Sequence, residues 1–238
     1  MKVTVVGSGS MWNKYNSACY LIDNNIMVDF PNGACKYLYR LGIVPNKINS
    51  ILLTHFHGDH YFDIPFCLLN KAKSENKYVN IYCSKEGKSK INKIGNLAFP
   101  NSFKDACRSL NLYYYNDANF IIDKYSIQRV QVDHGRMKPA YGYIFSNGST
   151  NIGFTGDTTL CNSVEYMASC CKYLFCDCMF IKGTSKHMGI DMLKELSTKY
   201  SNCTFVVSHM ELITRDELQK LNITNVIVPE DGTIINID

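Results

Sequence analysis

The chain has 238 residues, 46% of them hydrophobic, and a formal net charge of +4. That is apolar material for a full core, which excludes a disordered chain, and a length suited to one large α/β domain, taken as residues 1–238. The charge permits an anionic substrate but lacks the concentrated basic stripe that nucleic-acid binding usually asks for.

Met1-Lys2-Val3-Thr4-Val5-Val6-Gly7 lacks the apolar core of a signal peptide and reads as a first strand. No apolar run approaches the ~18 residues of a membrane span. The expectation is a cytoplasmic protein with no membrane partner, whose eleven cysteines are reduced thiols. Trp12 falls in the loop after the first strand. Residues 18–22 and 26–30 flank Asp23-Asn24-Asn25, a hairpin signal, because Asn and Asp tolerate the positive φ of tight turns. A short helix is predicted from Ala34 to Leu41, ended by Gly42.

Ile51-Leu52-Leu53-Thr54 reads as a buried strand running straight into His55, with a helix over 61–73. A strand at 79–83, a helix at 86–97 and two or three strands within 111–133 follow. Strands 141–145 and 152–155 are joined across Ser146-Asn147-Gly148, whose Asn-Gly is a strong hairpin signal. Helices are expected at 160–169 and 190–200, and strands at 173–178, 204–207, 224–228 and 233–237. Thr214-Arg215-Asp216-Glu217 fits a capping box, with Ile213 and Leu218 as its hydrophobic staple. Strands interleaved with helices make an α/β layered domain.

The chemistry is concentrated in Thr54-His55-Phe56-His57-Gly58-Asp59-His60. Three imidazoles and a carboxylate follow a buried strand, where each would be poor core material unless paired or bound. Neutral imidazole and carboxylate together suit zinc and related divalent ions. The chain has only six histidines. Two of the others, His134 and His209, sit just past predicted strands, as does Asp157 in Thr155-Gly156-Asp157-Thr158.

This order of groups, HxHxDH and then a lone His, a lone Asp and a last His, closely resembles the metallo-β-lactamase superfamily. The resemblance spans nearly the whole chain. It implies a four-layer αββα sandwich with two divalent metal ions, zinc first, with manganese or iron as alternatives. His55, His57 and His134 would hold the first ion and Asp59, His60 and His209 the second, with Asp157 bridging. Two such ions about 3.5–4 Å apart activate a shared water. Asp59 then combines a ligand role with accepting a hydrogen bond from the nucleophile.

Asp157 stands where secreted zinc β-lactamases carry a cysteine, and His57 where oxygen-reducing relatives carry a glutamate. The N-terminal stretch Gly7-Ser8-Gly9-Ser10 with Asn16-Ser17-Ala18-Cys19 and Met27-Val28-Asp29 is similar to the ribonuclease Z branch and its small phosphodiesterase relatives, as is Lys186-His187-Met188. That likeness implies a catalytic role for His187 at the scissile phosphate or leaving group, with Asp177 placed to orient it. The stretch between His134 and Asp157 is too short for the tRNA-gripping arm of true ribonuclease Z. The expected substrate is therefore a small phosphodiester or ester and not a long tRNA, and a homodimer is compatible with the resemblance. The rivals are a thioester or lactone hydrolase with the same metals, and a non-catalytic metal-binding sensor.

Overall fold

The computed structural model describes residues 1–237. In chain order the elements are β1 (Lys2–Gly7), β2 (Cys19–Ile22), β3 (Ile26–Val28), α1 (Ala34–Arg40), β4 (Ser50–Leu52), α2 (Gly58–Tyr61), α3 (Ile64–Lys71), β5 (Tyr78–Tyr82), α4 (Gly87–Ala98), α5 (Ser102–Ser109) and β6 (Asn111–Tyr115). Then come β7 (Asn119–Ile122), β8 (Tyr125–His134), β9 (Met137–Ser146), β10 (Asn151–Phe154), α6 (Asn162–Cys170), β11 (Tyr173–Asp177), α7 (Ile190–Lys199), β12 (Thr204–Ser208), α8 (Leu212–Leu221), β13 (Val226–Ile227) and β14 (Ile234–Asn236). The chain divides into two compact units, one of residues 1–6, 18–116 and 232–237, the other of residues 7–17 and 117–231.

The first unit is built on a seven-stranded mixed sheet in the order β14-β1-β2-β3-β4-β5-β6. The hairpin β2–β3 is antiparallel, with Asp23 and Asn24 at positive φ in its turn, while β3, β4, β5 and β6 run parallel. Strands buried on both faces read as unbroken apolar runs. Leu21, Met27, Ile51 and Ile81 from this sheet share one core with Leu38, Leu68, Ile91 and Phe103 from the helices.

The second unit has a seven-stranded mixed sheet in the order β13-β12-β11-β10-β9-β8-β7. Strands β7 to β10 are antiparallel and β10 to β13 parallel. Leu174, Cys176, Phe205 and Val207 form its core with Val164, Met167, Leu193 and Leu196 from α6 and α7.

Three sequence expectations fail for identifiable reasons. The helix foreseen over 61–73 is two helices, α2 and α3, because Pro65 at the start of α3 has no N–H to continue an earlier turn. Helix α5 was not foreseen; only Phe103 and Ala106 are buried along it, too few for a periodic signal. The capping box at Thr214 does not form. Helix α8 starts at Leu212, and the buried Thr214 hydroxyl donates to the Met179 carbonyl at 2.8 Å. Ile213, the expected staple, is exposed. None of the cysteines is in a disulfide, and among the described residues no helix is long and apolar enough to cross a membrane.

Gly95 lies in α4 against the fully buried Phe103 ring, which a Cβ at this position would strike. Alanine gains about 1 kcal/mol of helix propensity, but overpacking a core typically costs about 1–3 kcal/mol, and this ring has no solvent to move into. Gly95→Ala is expected to lose up to about 2 kcal/mol in urea unfolding. A stabilised variant would show that the ring can retreat.

Candidate functional site

Residues just past the C-terminal ends of neighbouring parallel strands share one sheet edge, and open α/β sheets place their sites there. In the first unit, Val28 at the end of β3 is in register with Leu52 at the end of β4. Asp29 follows the first and Thr54-His55 the second. The Asp29 backbone takes positive φ, 59°, and its N–H donates to the Leu52 carbonyl at 2.8 Å.

The Asp29 carboxylate organises this edge. Oδ1 accepts the Thr54 N–H at 2.8 Å, and Oδ2 accepts the Thr54 hydroxyl at 2.8 Å and His60 Nδ1 at 2.8 Å. Since the Thr54 hydroxyl gives its proton to Asp29, it accepts one from His55 Nδ1, 3.0 Å away. One carboxylate thus fixes the proton on Nδ1 of both His55 and His60. Nε2 of each is then the ring nitrogen that could bind a metal ion. His55 Nε2 lies 3.0 Å from His57 Nδ1, and His60 Nε2 lies 3.8 Å from Asp59 Oδ2. The rings of His55 and His60 meet at 4.1 Å, and both histidines are buried, as is Asp59. Burial pushes the Asp29 carboxyl above its ordinary range, while His60 and Thr54 pull it back.

In the second unit, β11 is in parallel register with both β10 and β12, Phe154 opposite Phe175 and Asp177 opposite Ser208. Asp157 follows β10 through Gly156 at φ 62°, and Asp177 ends β11. His209 follows β12 with φ 58°, a left-handed conformation uncommon for histidine and kept mainly where surrounding structure enforces it. His209 Nε2 is 3.3 Å from Asp157 Oδ2.

His134 is the last residue of β8, two beyond the expected strand end. Its Nδ1 donates to the Lys186 carbonyl at 2.9 Å, and its Nε2 stands 3.9 Å from Asp157 Oδ2. Burial lowers the pKa of His134 and so favours the neutral ring that a ligand needs, while Asp157 acts in the opposite direction. His187 Nδ1 meets Asp177 Oδ2 at 2.8 Å and is 4.0 Å from Asp157 Oδ2. Its ring stacks parallel to that of His209 with centroids 5.1 Å apart. Asp177 is fixed in turn by the N–H groups of Thr158 and Met179, each at 3.0 Å. Burial raises the Asp177 carboxyl, opposed by His187.

These donors fit divalent metal ions. Two ligands of a tetrahedral zinc with bonds of about 2.0–2.1 Å lie roughly 3.4 Å apart, close to the His55 Nε2 to His57 Nδ1 separation of 3.0 Å. Asp157, Asp177, His187 and His209 each bring one ligand atom into a group spanning at most 4.8 Å. The first unit therefore gathers His55, His57, Asp59 and His60, and the second gathers His134, Asp157, His187 and His209. Asp29 carries no role in the sequence reading, although its place at the end of a strand beside the motif strand was a usable signal.

The Anti-Pycsar protein Apyc1 family model matches residues 1–228. Ribonuclease Z of Pyrococcus abyssi is 31% identical over 123 residues, which are 50% of this chain and 38% of that protein. The chain thus spans well under half the length of that relative. The metallo-β-lactamase fold protein YhfI of Bacillus subtilis superposes with a TM-score of 0.78 at 18% identity, covering 98% of each chain. Human tRNase Z, short form, superposes with a TM-score of 0.76 at 16% identity, covering 100% of each. The chain has the metallo-β-lactamase fold that the sequence resemblance implied.

Partners that orient metal-binding histidines typically contribute 10–100-fold to metal affinity. Because Asp29 holds both His55 and His60, Asp29→Ala is expected to weaken zinc binding by at least about 10-fold in a competition titration with a chromophoric chelator. An unchanged affinity would show that the rings hold their orientation without it.

Proposed function

The chain belongs to the Anti-Pycsar protein Apyc1 family, and from that premise we propose that it is a metal-dependent hydrolase of small phosphodiesters. His55, His57 and His134 are assigned to one ion, Asp59, His60 and His209 to a second, and Asp157 to both. When bound, two divalent ions supply Lewis acidity and lower the pKa of a water to roughly 7.

The observation that carries the reading is the Asp177–His187 pair beside Asp157, with contacts of 2.8 Å and 4.0 Å. A thiolate leaves a thioester without a strong proton donor, whereas an alkoxide leaving a phosphodiester needs one. Asp177 accepts the hydrogen bond of His187 Nδ1 and fixes the ring, and the acid role falls to His187 in its doubly protonated form, which gives up the Nε2 proton. Asp59 accepts a proton from the attacking water. The water oxygen forms the new bond to phosphorus, the phosphorus–oxygen bond to the leaving group breaks, and His187 protonates the departing oxygen.

Substrate size is supported by what joins His134 to Asp157. That segment is β9, a short turn and β10, with no arm inserted. The identity with ribonuclease Z of Pyrococcus abyssi supports phosphodiester chemistry, and zinc is the first choice for a donor set of imidazoles and carboxylates, with manganese or iron able to take the same ligands.

Zinc- or manganese-loaded protein is expected to hydrolyse bis(p-nitrophenyl) phosphate and leave a thioester and a lactone untouched, with turnover lost in Asp157→Ala. Turnover of the acyl substrates alone would place the protein among acyl hydrolases. His187→Ala should cut kcat for an alkyl leaving group by about 10²–10⁴-fold and for p-nitrophenolate far less. Equal losses on both would remove the acid role.

A further inference from the structure

Residues 7–17 of the second unit form a loop with no slack. One carboxylate, Asp231, closes both of its ends. Oδ1 accepts the Ser8 N–H at 3.0 Å and the Ser8 hydroxyl at 2.8 Å, and Oδ2 accepts the Asn16 N–H at 2.7 Å and the Asn16 side-chain amide at 2.9 Å. The buried Arg215 donates Nη2 to Ser8 Oγ at 2.6 Å, and its guanidinium lies 3.9 Å from the centre of the Tyr15 ring. Glycine is required where the turns close: a Cβ at Gly9 would sit 2.7 Å from the Tyr15 Cβ.

The far side of the loop is tied to the residue after His209. The Met210 carbonyl accepts the Asn13 side-chain amide at 2.7 Å and the Ser10 N–H at 3.1 Å. Between these two anchors stand Met11 and Trp12, 47% and 79% exposed. An indole this exposed adds little to the core of its unit, yet Ser10 and Asn13 on either side of it are both tied to the Met210 carbonyl. The apolar area is that of one ring and one thioether. A protein–protein contact needs roughly 800 Å² from each partner, whereas a single planar group of a substrate is matched by one aromatic face.

We propose that Trp12 is a substrate-positioning residue whose indole stacks on a planar aromatic group of the phosphodiester, held in place by the anchors on Met210 beside His209. The proposal rests on the phosphodiesterase reading above. It makes aromatic phosphate esters the preferred class and sets specificity through binding, while the chemical step belongs to other residues.

The chain has one tryptophan and 16 tyrosines, so fluorescence excited at the red edge, beyond tyrosine absorption, reports on Trp12 alone. Zinc-loaded protein is titrated with phenyl phosphate and, separately, with ethyl phosphate, and both are repeated by calorimetry with Trp12→Ala and Trp12→Phe. The expected result is saturable quenching by phenyl phosphate and not by ethyl phosphate. Trp12→Ala should bind phenyl phosphate about 10-fold more weakly and ethyl phosphate unchanged, with most of the loss restored in Trp12→Phe.

Phenyl phosphate bound as tightly by Trp12→Ala as by the parent, or not bound at all, would overturn the proposal. So would emission that shifts with protein concentration in the absence of any phosphate, since the ring would then meet a second copy. The two readings fail separately. Trp12-dependent binding without turnover of bis(p-nitrophenyl) phosphate would remove the hydrolytic reading and retain the aromatic site. Turnover with binding indifferent to Trp12 would do the reverse.

Discussion

A buried imidazole serves as a metal ligand only after the protein has engaged its other nitrogen, because the ring must be neutral and its proton must be on the far side. Three histidines meet this requirement through identifiable acceptors. Asp29 engages His60 directly and His55 through Thr54, and the Lys186 carbonyl engages His134. The acceptors come from structure remote from the ligands in sequence: Asp29 from a neighbouring parallel strand, and Lys186 from the segment that also carries His187. The fold contributes to the site by holding these acceptors still. The positive φ at Asp29 and His209 marks where the backbone bends to do so.

His187 and His134 are engaged by different kinds of partner. Its Nδ1 faces a full carboxylate, Asp177, itself fixed by two backbone N–H groups. His134 has a neutral carbonyl as partner and burial that disfavours charge, which suits a ligand. The two rings are in edge contact, with centroids 4.8 Å apart.

Much of this was legible in the sequence because it depends on short-range pattern. The HxHxDH loop stands out by composition alone, and His209 and Asp157 were readable as groups just past apolar strands. Other features depend on contacts that no local window contains. Asp29 looks like an ordinary turn residue until β3 is seen paired with β4. Thr214 has a capping pattern, but its hydroxyl is taken by the Met179 carbonyl, and the tertiary partner overrides the local one. The strands within 111–133 were expected, whereas the polar helix α5 just before them has too few buried positions to announce itself.

The central proposal is that seven side chains, His55, His57, Asp59, His60, His134, Asp157 and His209, would hold two divalent ions. The most direct test is the metal content of purified, zinc-reconstituted protein by inductively coupled plasma mass spectrometry after exhaustive removal of loosely bound ion, with Asp157→Ala measured alongside. The account predicts about two ions per chain and loss of one or both in the variant. One ion or none in the parent, or two retained in the variant, would contradict it.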